Sequence, residues 1–120
     1  MTLHLHISPT GNDTNAGTCQ QPLATLTAAR DRLRGTRPKA GAVITLHAGT
    51  YVLDGGLSLG VQDSGTADSP VRYRAAPGES VALTGGVSID PQALEPVADP
   101  AVLKRLPAGA REQVRVVDLR

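Results

Sequence analysis

Six short apolar segments between residues 43 and 89 constrain the fold more than any other feature of the sequence. Each has only three to five residues and is bounded by Gly, Pro, Asp or Ser, which favour turns. β-Branched residues and tyrosine recur in these segments, as is typical of strands. The predicted strands are Val43–His47, Tyr51–Leu53, Leu57–Leu59, Val71–Arg74, Val81–Leu83 and Val87–Ile89.

Strands this short favour a chain that turns a corner after each strand and stacks on the next turn, as in a parallel β-helix. A small antiparallel barrel is the alternative. The composition contains no Phe or Trp, thirteen Gly and nine Pro, which favours short strands over a helical bundle. We therefore expect parallel neighbours among the strands. The side chains expected to be buried are those of Leu46, Leu57, Leu59, Val81 and Leu83.

The N-terminal residues predict a strand followed by an unusually long polar loop. Apolar residues at positions 3, 5 and 7 alternate with His4 and His6, which is the pattern of a half-buried strand. Pro9 and Gly11 end this strand, and residues 8–22 form what we call the entry loop. A loop of this length is uncommon in a compact domain unless it has a structural or binding role.

A helix is predicted to follow the entry loop, from Leu26 to Arg34. Thr25 can cap its first turn, and the apolar side chains at positions 26, 29 and 33 lie on one face. Gly35 is a typical residue at which a helix ends. The solvated side is predicted to carry Arg30, Arg32 and Arg34.

The C-terminal residues predict a short helix and then another strand. Asp99 and Pro100 are a favourable cap and first residue for a helix at Ala101–Leu106, and Gly109 ends that region. The segment VRVVDLR then starts a strand within which the chain stops, so we interpret the chain as the front of a longer protein. Its predicted parts are residues 1–40 (strand, loop and helix), 41–90 (first coils) and 91–120 (helical excursion and further strand).

Charge and hydropathy exclude several classes of partner. The formal net charge is +1 and both signs are mixed along the chain, which argues against nucleic acid and an anionic membrane. No apolar run is long enough to cross a bilayer. The N-terminus as written carries no secretory signal, and the compartment stays open. Cys19 is the only cysteine, so an internal disulfide is excluded.

Two stretches carry a family pattern: SPTGNDTNAGTCQQPLATLTAARDRLR and ITLHAGTYVLDGGLSLGVQDSGTADSPVRYRAAPGESVALTGGVSI. They resemble the N-terminal segment of right-handed parallel β-helix proteins of the pectin-lyase-like superfamily, and the similarity extends into the DPAVLKRLPAGAREQVRVVDL tail. Leu23 departs from the pattern, since phenylalanine is usual there. The matching positions are Gly11, Asp13, Gly17, Thr18, Pro22, Thr25, Leu26, Gly49-Thr50-Tyr51, Asp63-Ser64-Gly65-Thr66, Tyr73, Pro77-Gly78-Glu79 and Gly85-Gly86.

The resemblance implies an all-β fold with a short capping helix, namely the N-terminal cap and first coils of a right-handed parallel β-helix. A stack of coils leaves an apolar cross-section and unpaired strand edges at its end, and the helix would cover both. The entry loop would lead the chain into that helix. The apolar face of the helix would then meet Val43, Leu46, Leu57 and Leu59.

The resemblance also implies a parent protein that acts on a polysaccharide or oligosaccharide, as a glycoside hydrolase or polysaccharide lyase. The superfamily contains non-catalytic adhesins as well, so a structural or adhesion protein is the alternative. In the resembling glycosidases the catalytic carboxylates lie on later coils, beyond Arg120, so the chain itself would be structural. A complete small domain that binds a ligand through the entry loop is a third possibility.

Carboxylates in the strand region are candidates for acid–base chemistry on a glycosidic bond. Asp63 opens a D-S-G-T turn, however, where its side chain is expected to accept hydrogen bonds from backbone N–H groups. Asp68 lies in the same polar segment, and Glu79 belongs to a plain Pro-Gly-Glu turn. We therefore predict no catalytic residue in the chain.

The remaining candidate groups also favour structural roles. His4 and His6 share a strand face and could chelate zinc, but no third ligand is evident in the sequence. His47 lacks a Ser or Cys partner nearby in sequence, and Cys19 has no basic neighbour that would lower its pKa. Asn12 and Asp13 favour an Asx-turn over a Ca²⁺ loop. We predict no metal-binding and no cofactor-binding residue.

Overall fold

The computed structural model describes residues 1–119 and divides the chain into two compact units, Met1–Gly86 and Val87–Arg120. The division of the sequence at residues 40 and 90 stays a prediction. The first unit contains β1 (Leu3–Ile7), α1 (Leu26–Thr36), β2 (Ala42–Leu46), β3 (Gly49–Val52), β4 (Val71–Ala75) and β5 (Val81–Thr84). The second contains β6 (Glu95–Pro96), α2 (Pro100–Arg105) and β7 (Arg115–Val116).

The five strands of the first unit form two parallel sheets, ordered β1-β2-β4 and β3-β5. This confirms the expected parallel neighbours and rules out the antiparallel barrel for these strands. Alternate residues of successive strands stand in register, so their inward side chains stack in columns. The columns are Leu3–Ala42–Val71, Leu5–Ile44–Tyr73, Ile7–Leu46–Ala75 and Tyr51–Leu83.

The outermost member of each column is less buried than the member before it. Leu5 and Ile44 are 3% and 0% exposed, whereas Tyr73 above them is only half-buried. Tyr51 is 4% exposed and its neighbour Leu83 is 51% exposed. The expected burial of Leu83 is therefore wrong, because β5 is the outer strand of its sheet and no further strand of residues 1–86 lies on it.

Helix α1 begins as predicted. The Thr25 hydroxyl accepts a hydrogen bond from the Ala28 N–H at 3.1 Å, and Leu26, Ala29 and Leu33 are buried in one core cluster with the strand residues. Of the residues expected to face the helix, Leu46 belongs to this cluster and Leu57 packs against it.

The other two residues expected beneath the helix do not belong to this cluster. Val43 alternates with the inward-facing Ala42 and Ile44, and Leu59 is 53% exposed.

The predicted end of the helix at Gly35 is wrong by two residues. Thr36 continues the helix and its hydroxyl donates to the Arg32 carbonyl at 2.9 Å. Arg37 then adopts the left-handed conformation, with φ of 45°, and its N–H donates to the Leu33 carbonyl. This geometry satisfies a terminal carbonyl of the helix without glycine.

Two predicted strands are absent from the described residues. Leu57–Leu59 has irregular backbone, and the Ser58 carbonyl accepts a hydrogen bond from the Arg30 guanidinium at 3.2 Å instead of one from a strand. Val87–Ile89 is also irregular, with Val87 87% exposed. Apolar residues in a short run therefore did not suffice to form a strand without a partner.

The remaining predicted strands are confirmed within one or two residues. Val43–His47 is observed as Ala42–Leu46, Tyr51–Leu53 as Gly49–Val52, and Val81–Leu83 as Val81–Thr84. Leu46 is buried as expected, whereas Val81 and Leu57 are half-buried.

Close packing at the corner between β2 and β3 requires glycine. Gly49 has a φ of 138°, and a Cβ atom there would lie 2.5 Å from the Cγ atom of Pro9. Both the backbone conformation and the lack of space exclude a larger residue at this position. Pro9, in the first turn of the entry loop, is thereby packed directly against the start of β3.

The second unit contains the predicted C-terminal helix, shifted by one residue to Pro100–Arg105, with Asp99 accepting a hydrogen bond from the Ala101 N–H at 2.8 Å. The strand predicted in VRVVDLR is limited to Arg115–Val116, which pairs antiparallel with Glu95–Pro96. Arg120, the last residue of that prediction, lies outside the described residues. Across residues 1–119, every helix is too short or too polar to cross a bilayer.

Truncation of Leu33 should test the packing of α1 on the core. Leu33→Ala should lower the free energy of unfolding by about 2–5 kcal/mol, because Leu33 is 3% exposed. Leu33→Asp should be worse and promote aggregation, because it buries an unpaired carboxylate. Chemical denaturation gives both values. Leu59→Ala is the matched control and should cost no more than about 0.5 kcal/mol. Equal losses for Leu33→Ala and Leu59→Ala would contradict the packing described.

Candidate functional site

The entry loop is fixed to the start of α1 by one carboxylate. Asp13 accepts hydrogen bonds from the N–H groups of Ala24 and Thr25, at 2.8 and 2.9 Å, and from the Thr25 hydroxyl at 2.9 Å. The expected Asx-turn is formed by Asn12, whose side-chain oxygen accepts from the Thr14 N–H at 2.9 Å. Asn12 and Asp13 thus direct their oxygens to protein donors.

The arginines of α1 are not simply solvated, which corrects the expectation for that face. Arg32 donates to the carbonyls of Asn15 and Ala16, at 2.9 and 3.1 Å, and so ties the helix back to the entry loop. Arg30 pairs with Asp31 at 2.8 Å and also donates to the Ser58 carbonyl. The regular spacing of these arginines gave no indication of their distant partners.

Arg34 and Asp63 form a bidentate ion pair at the other end of the helix. The guanidinium Nε and Nη2 atoms donate to the two carboxylate oxygens at 2.6 and 2.7 Å. The Gly60 N–H donates to the same carboxylate at 2.7 Å, which confirms that Asp63 accepts from backbone. The Asp63 side chain is 2% exposed and that of Arg34 is 32% exposed. Both oxygens of this carboxylate are therefore engaged by groups of the protein itself, and its role is structural.

The Arg34 guanidinium and the Gly60 N–H lower the pKa of Asp63 to about 2. A general acid on a glycosidic bond needs a raised pKa, so this environment is the opposite of the one that catalysis requires. Asp68 is exposed in the following turn.

His6 pairs with His47, and not with His4 on the same strand. The two rings stack with centroids 5.3 Å apart and an angle of 19° between their planes. Nδ1 of His6 lies 3.1 Å from Nε2 of His47. Burial lowers the pKa of His6, and the charge of His47 acts in the same direction.

Glu79 does more than form a plain turn. Its Oε1 atom lies 3.2 Å from Nδ1 of His47, and its Oε2 atom accepts a hydrogen bond from the Ala48 N–H at 2.5 Å. The Ala48 N–H and then the His47 ring lower the pKa of the Glu79 carboxyl. A carboxylate, an imidazole and a second imidazole therefore form a continuous chain along the strand ends.

Cys19 completes this cluster from the entry loop. Its sulfur and one ring nitrogen each of His6 and His47 all lie within 4.8 Å of one another. The sequence separates these three residues by long intervals, so only the parallel pairing of β1 with β2 and the path of the entry loop bring them together. Their shared preference for soft metals was the one indication available in the sequence.

The cavities beside α1 offer little for catalysis by paired carboxylates. One is lined by Pro9, Thr25 and the Thr50–Asp54 segment, and Asp54 is its one carboxylate. Another is lined by Leu33, Arg37 and Asp63, whose carboxylate is already paired. In the second unit, Glu95 and Asp118 both line a further cavity, open to solvent.

Comparisons with known proteins agree with the motifs. No protein-family model matches the chain. It is 37% identical over 81 residues to pectate lyase PEL9 of Emericella nidulans, covering 68% of the chain and 18% of that protein. It is 33% identical over 82 residues to the uncharacterized protein YwoF of Bacillus subtilis, covering 68% and 16%. A solved glycoside hydrolase aligns with a TM-score of 0.60 at 38% identity, covering 72% of the chain and 15% of that protein.

The resemblance to the pectin-lyase-like superfamily is confirmed. The relatives point to carbohydrate-active enzymes. The chain spans less than a fifth of the length of each of these three proteins.

Acid titration should reveal the Arg34–Asp63 pair. A carboxyl whose pKa is lowered by folding stabilises the protein above its ordinary pKa, and that stabilisation is lost as the pH falls towards about 2. Asp63→Asn should lower the melting temperature at pH 7 and reduce the further loss between about pH 5 and pH 2. Asp68→Asn, which removes an exposed carboxyl from the following turn, is the control and should leave the melting temperature at pH 7 unchanged. An Asp63→Asn variant with the parent's full acid dependence would contradict this assignment.

Proposed function

We propose that the chain is the N-terminal section of a carbohydrate-active enzyme with a right-handed parallel β-helix, and that residues 1–86 form its cap and first coils. The alignment with the glycoside hydrolase, over 72% of the chain at a TM-score of 0.60, is the observation that carries this proposal. The substrate class is a polysaccharide or oligosaccharide, in keeping with the pectate lyase among the relatives.

The open outer face of the first unit supports a longer stack. β4 and β5 each pair on one edge in the described residues, and Leu83 and Tyr73 stand at the outer ends of their columns. A further coil placed on these strands would satisfy their backbone groups and cover Leu83. Helix α1 covers core residues at the opposite end of the stack, where the chain begins, as a cap does.

The chemistry of the first unit supports a structural role for it within that enzyme. Asp63 and Glu79 are held by Arg34, by His47 and by backbone N–H groups, so neither is poised to exchange a proton with a substrate. Stacking of sugar rings also lacks a platform, because the chain has only two aromatic residues and Tyr51 is buried. The catalytic carboxylates are thus contributed by later coils.

Parallel assays of two polypeptides should separate these roles. The 120-residue chain should show no turnover of xylan, pectin or aryl-glycosides, whereas the longer protein that contains it should cleave at least one of them. Glu95→Gln and Asp68→Asn in the longer protein should retain activity.

Two results would contradict the proposal. Turnover by the 120-residue chain, lost in Glu95→Gln or Asp68→Asn, would place a catalytic group within it. A longer protein that folds, binds polysaccharide and cleaves none would favour the non-enzymatic structural or adhesion protein instead.

A further inference from the structure

We propose that His6, Cys19 and His47 form a zinc site with three protein ligands and an open fourth position. The proposal rests on the geometry of these side chains and is independent of any activity on carbohydrate. It concerns the first unit alone, in which all three residues lie.

The donor atoms are spaced almost as zinc requires. Tetrahedral Zn²⁺ with Zn–N near 2.0–2.1 Å and Zn–S near 2.3 Å places its ligand atoms about 3.3–3.6 Å apart. Nδ1 of His6 and Nε2 of His47 are 3.1 Å apart, and the sulfur of Cys19 lies within 4.8 Å of one nitrogen of each ring. The Cys19 side chain therefore needs to move by about 1 Å or a little more to close the site. This side chain is exposed and free to change rotamer.

The backbone around each ligand is fixed. The N–H of His6 donates to the Gly17 carbonyl at 2.8 Å, and its carbonyl accepts from Leu23 at 2.9 Å. The N–H of His47 donates to the Ile7 carbonyl at 2.8 Å, directly beyond the paired strands. Cys19 lies in a tight turn closed by the Gly17 N–H donating to the Gln21 carbonyl at 2.9 Å. The three ligands thus come from β1, the end of β2 and the entry loop.

Glu79 supplies the orientation that a metal-binding histidine needs. Its carboxylate lies 3.2 Å from Nδ1 of His47 and so favours the tautomer with the proton on that nitrogen. Nε2 of His47 then offers its lone pair towards His6 and Cys19. Glu79 is a positioning residue in this arrangement, because its oxygens are engaged by His47 and the Ala48 N–H.

Binding exchanges one set of interactions for another. The Cys19 thiol releases its proton to solvent, His6 takes the tautomer with its proton on Nε2, and both imidazoles bind as neutral rings. The hydrogen bond between Nδ1 of His6 and Nε2 of His47 is thereby replaced by two Zn–N bonds. One thiolate and two imidazoles suit Zn²⁺, whereas Ca²⁺ and Mg²⁺ prefer oxygen ligands. Zinc bound here would fasten the entry loop to the first two strands.

Metal titration of the purified 120-residue chain, kept reduced and stripped of metal by a chelator, tests the site. Zn²⁺ should bind at one ion per chain by calorimetry and raise the melting temperature. Co²⁺ as a spectroscopic substitute should give thiolate-to-cobalt charge-transfer absorption and the visible bands of a tetrahedral ion. Both signals should be lost in Cys19→Ser, His6→Gln and His47→Gln, and Glu79→Gln should weaken Zn²⁺ binding about 10–100-fold.

His4→Gln is the matched control, since His4 is exposed on the same strand and lies outside the cluster. It should bind Zn²⁺ like the parent chain. Circular dichroism of each variant establishes that it is folded, and Cys19→Ser, in an exposed loop position, preserves the most structure. Absence of saturable Zn²⁺ binding, binding unchanged by Cys19→Ser, or an equal loss in His4→Gln would each overturn the proposal.

Discussion

The in-register parallel stacking of β1, β2 and β4 is the constraint on which the rest of the first unit depends. It places Leu5, Ile44 and Tyr73 in one column, so each layer buries the apolar side chains of the layer before it. A one-residue slip would turn every inward side chain outward. The same register places His6 opposite Thr45, two residues before His47, so the core and the histidine pair are set by a single strand pairing.

The entry loop and α1 are fixed to that stack by polar contacts as well as by the apolar face of the helix. Asp13 binds the first turn of the helix, Arg32 binds the middle of the loop, and Arg34 binds Asp63 on the far side. Each of these side chains satisfies backbone or carboxylate groups that would otherwise lie unpaired near the core. The long polar loop is consequently ordered by its neighbours despite its glycine-rich sequence.

Local patterns in the sequence predicted most of the first unit, and the errors in its strands have one physical origin. The strands and the cap at Thr25 follow from alternation and capping chemistry, which are properties of neighbouring residues. Leu59 and Leu83 were expected to be buried, but burial depends on whether another layer covers them. Leu57–Leu59 and Val87–Ile89 have apolar residues without a partner strand, and a strand needs both.

The functional side chains were harder to predict because their partners are distant in sequence. Arg34 and Asp63 each had a sound local interpretation, as a solvated helix residue and as a turn former. Cys19 lacked any charged neighbour along the chain, and of its two histidine neighbours one lies in β1 and the other directly follows β2. Such clusters become visible only when the path of the chain is known.

The two corners of the first unit differ in length although the strands they join remain in register. Two residues, His47 and Ala48, connect β2 to β3, whereas five, from Ala76 to Ser80, connect β4 to β5. The longer corner folds into a turn from which the Glu79 side chain reaches the shorter corner and accepts a hydrogen bond from the Ala48 N–H. Both sheets still pair without a shift in register. Corners of this kind can lengthen from layer to layer while the stack stays intact, which leaves them free to vary in composition and chemistry as a protein of this architecture diverges.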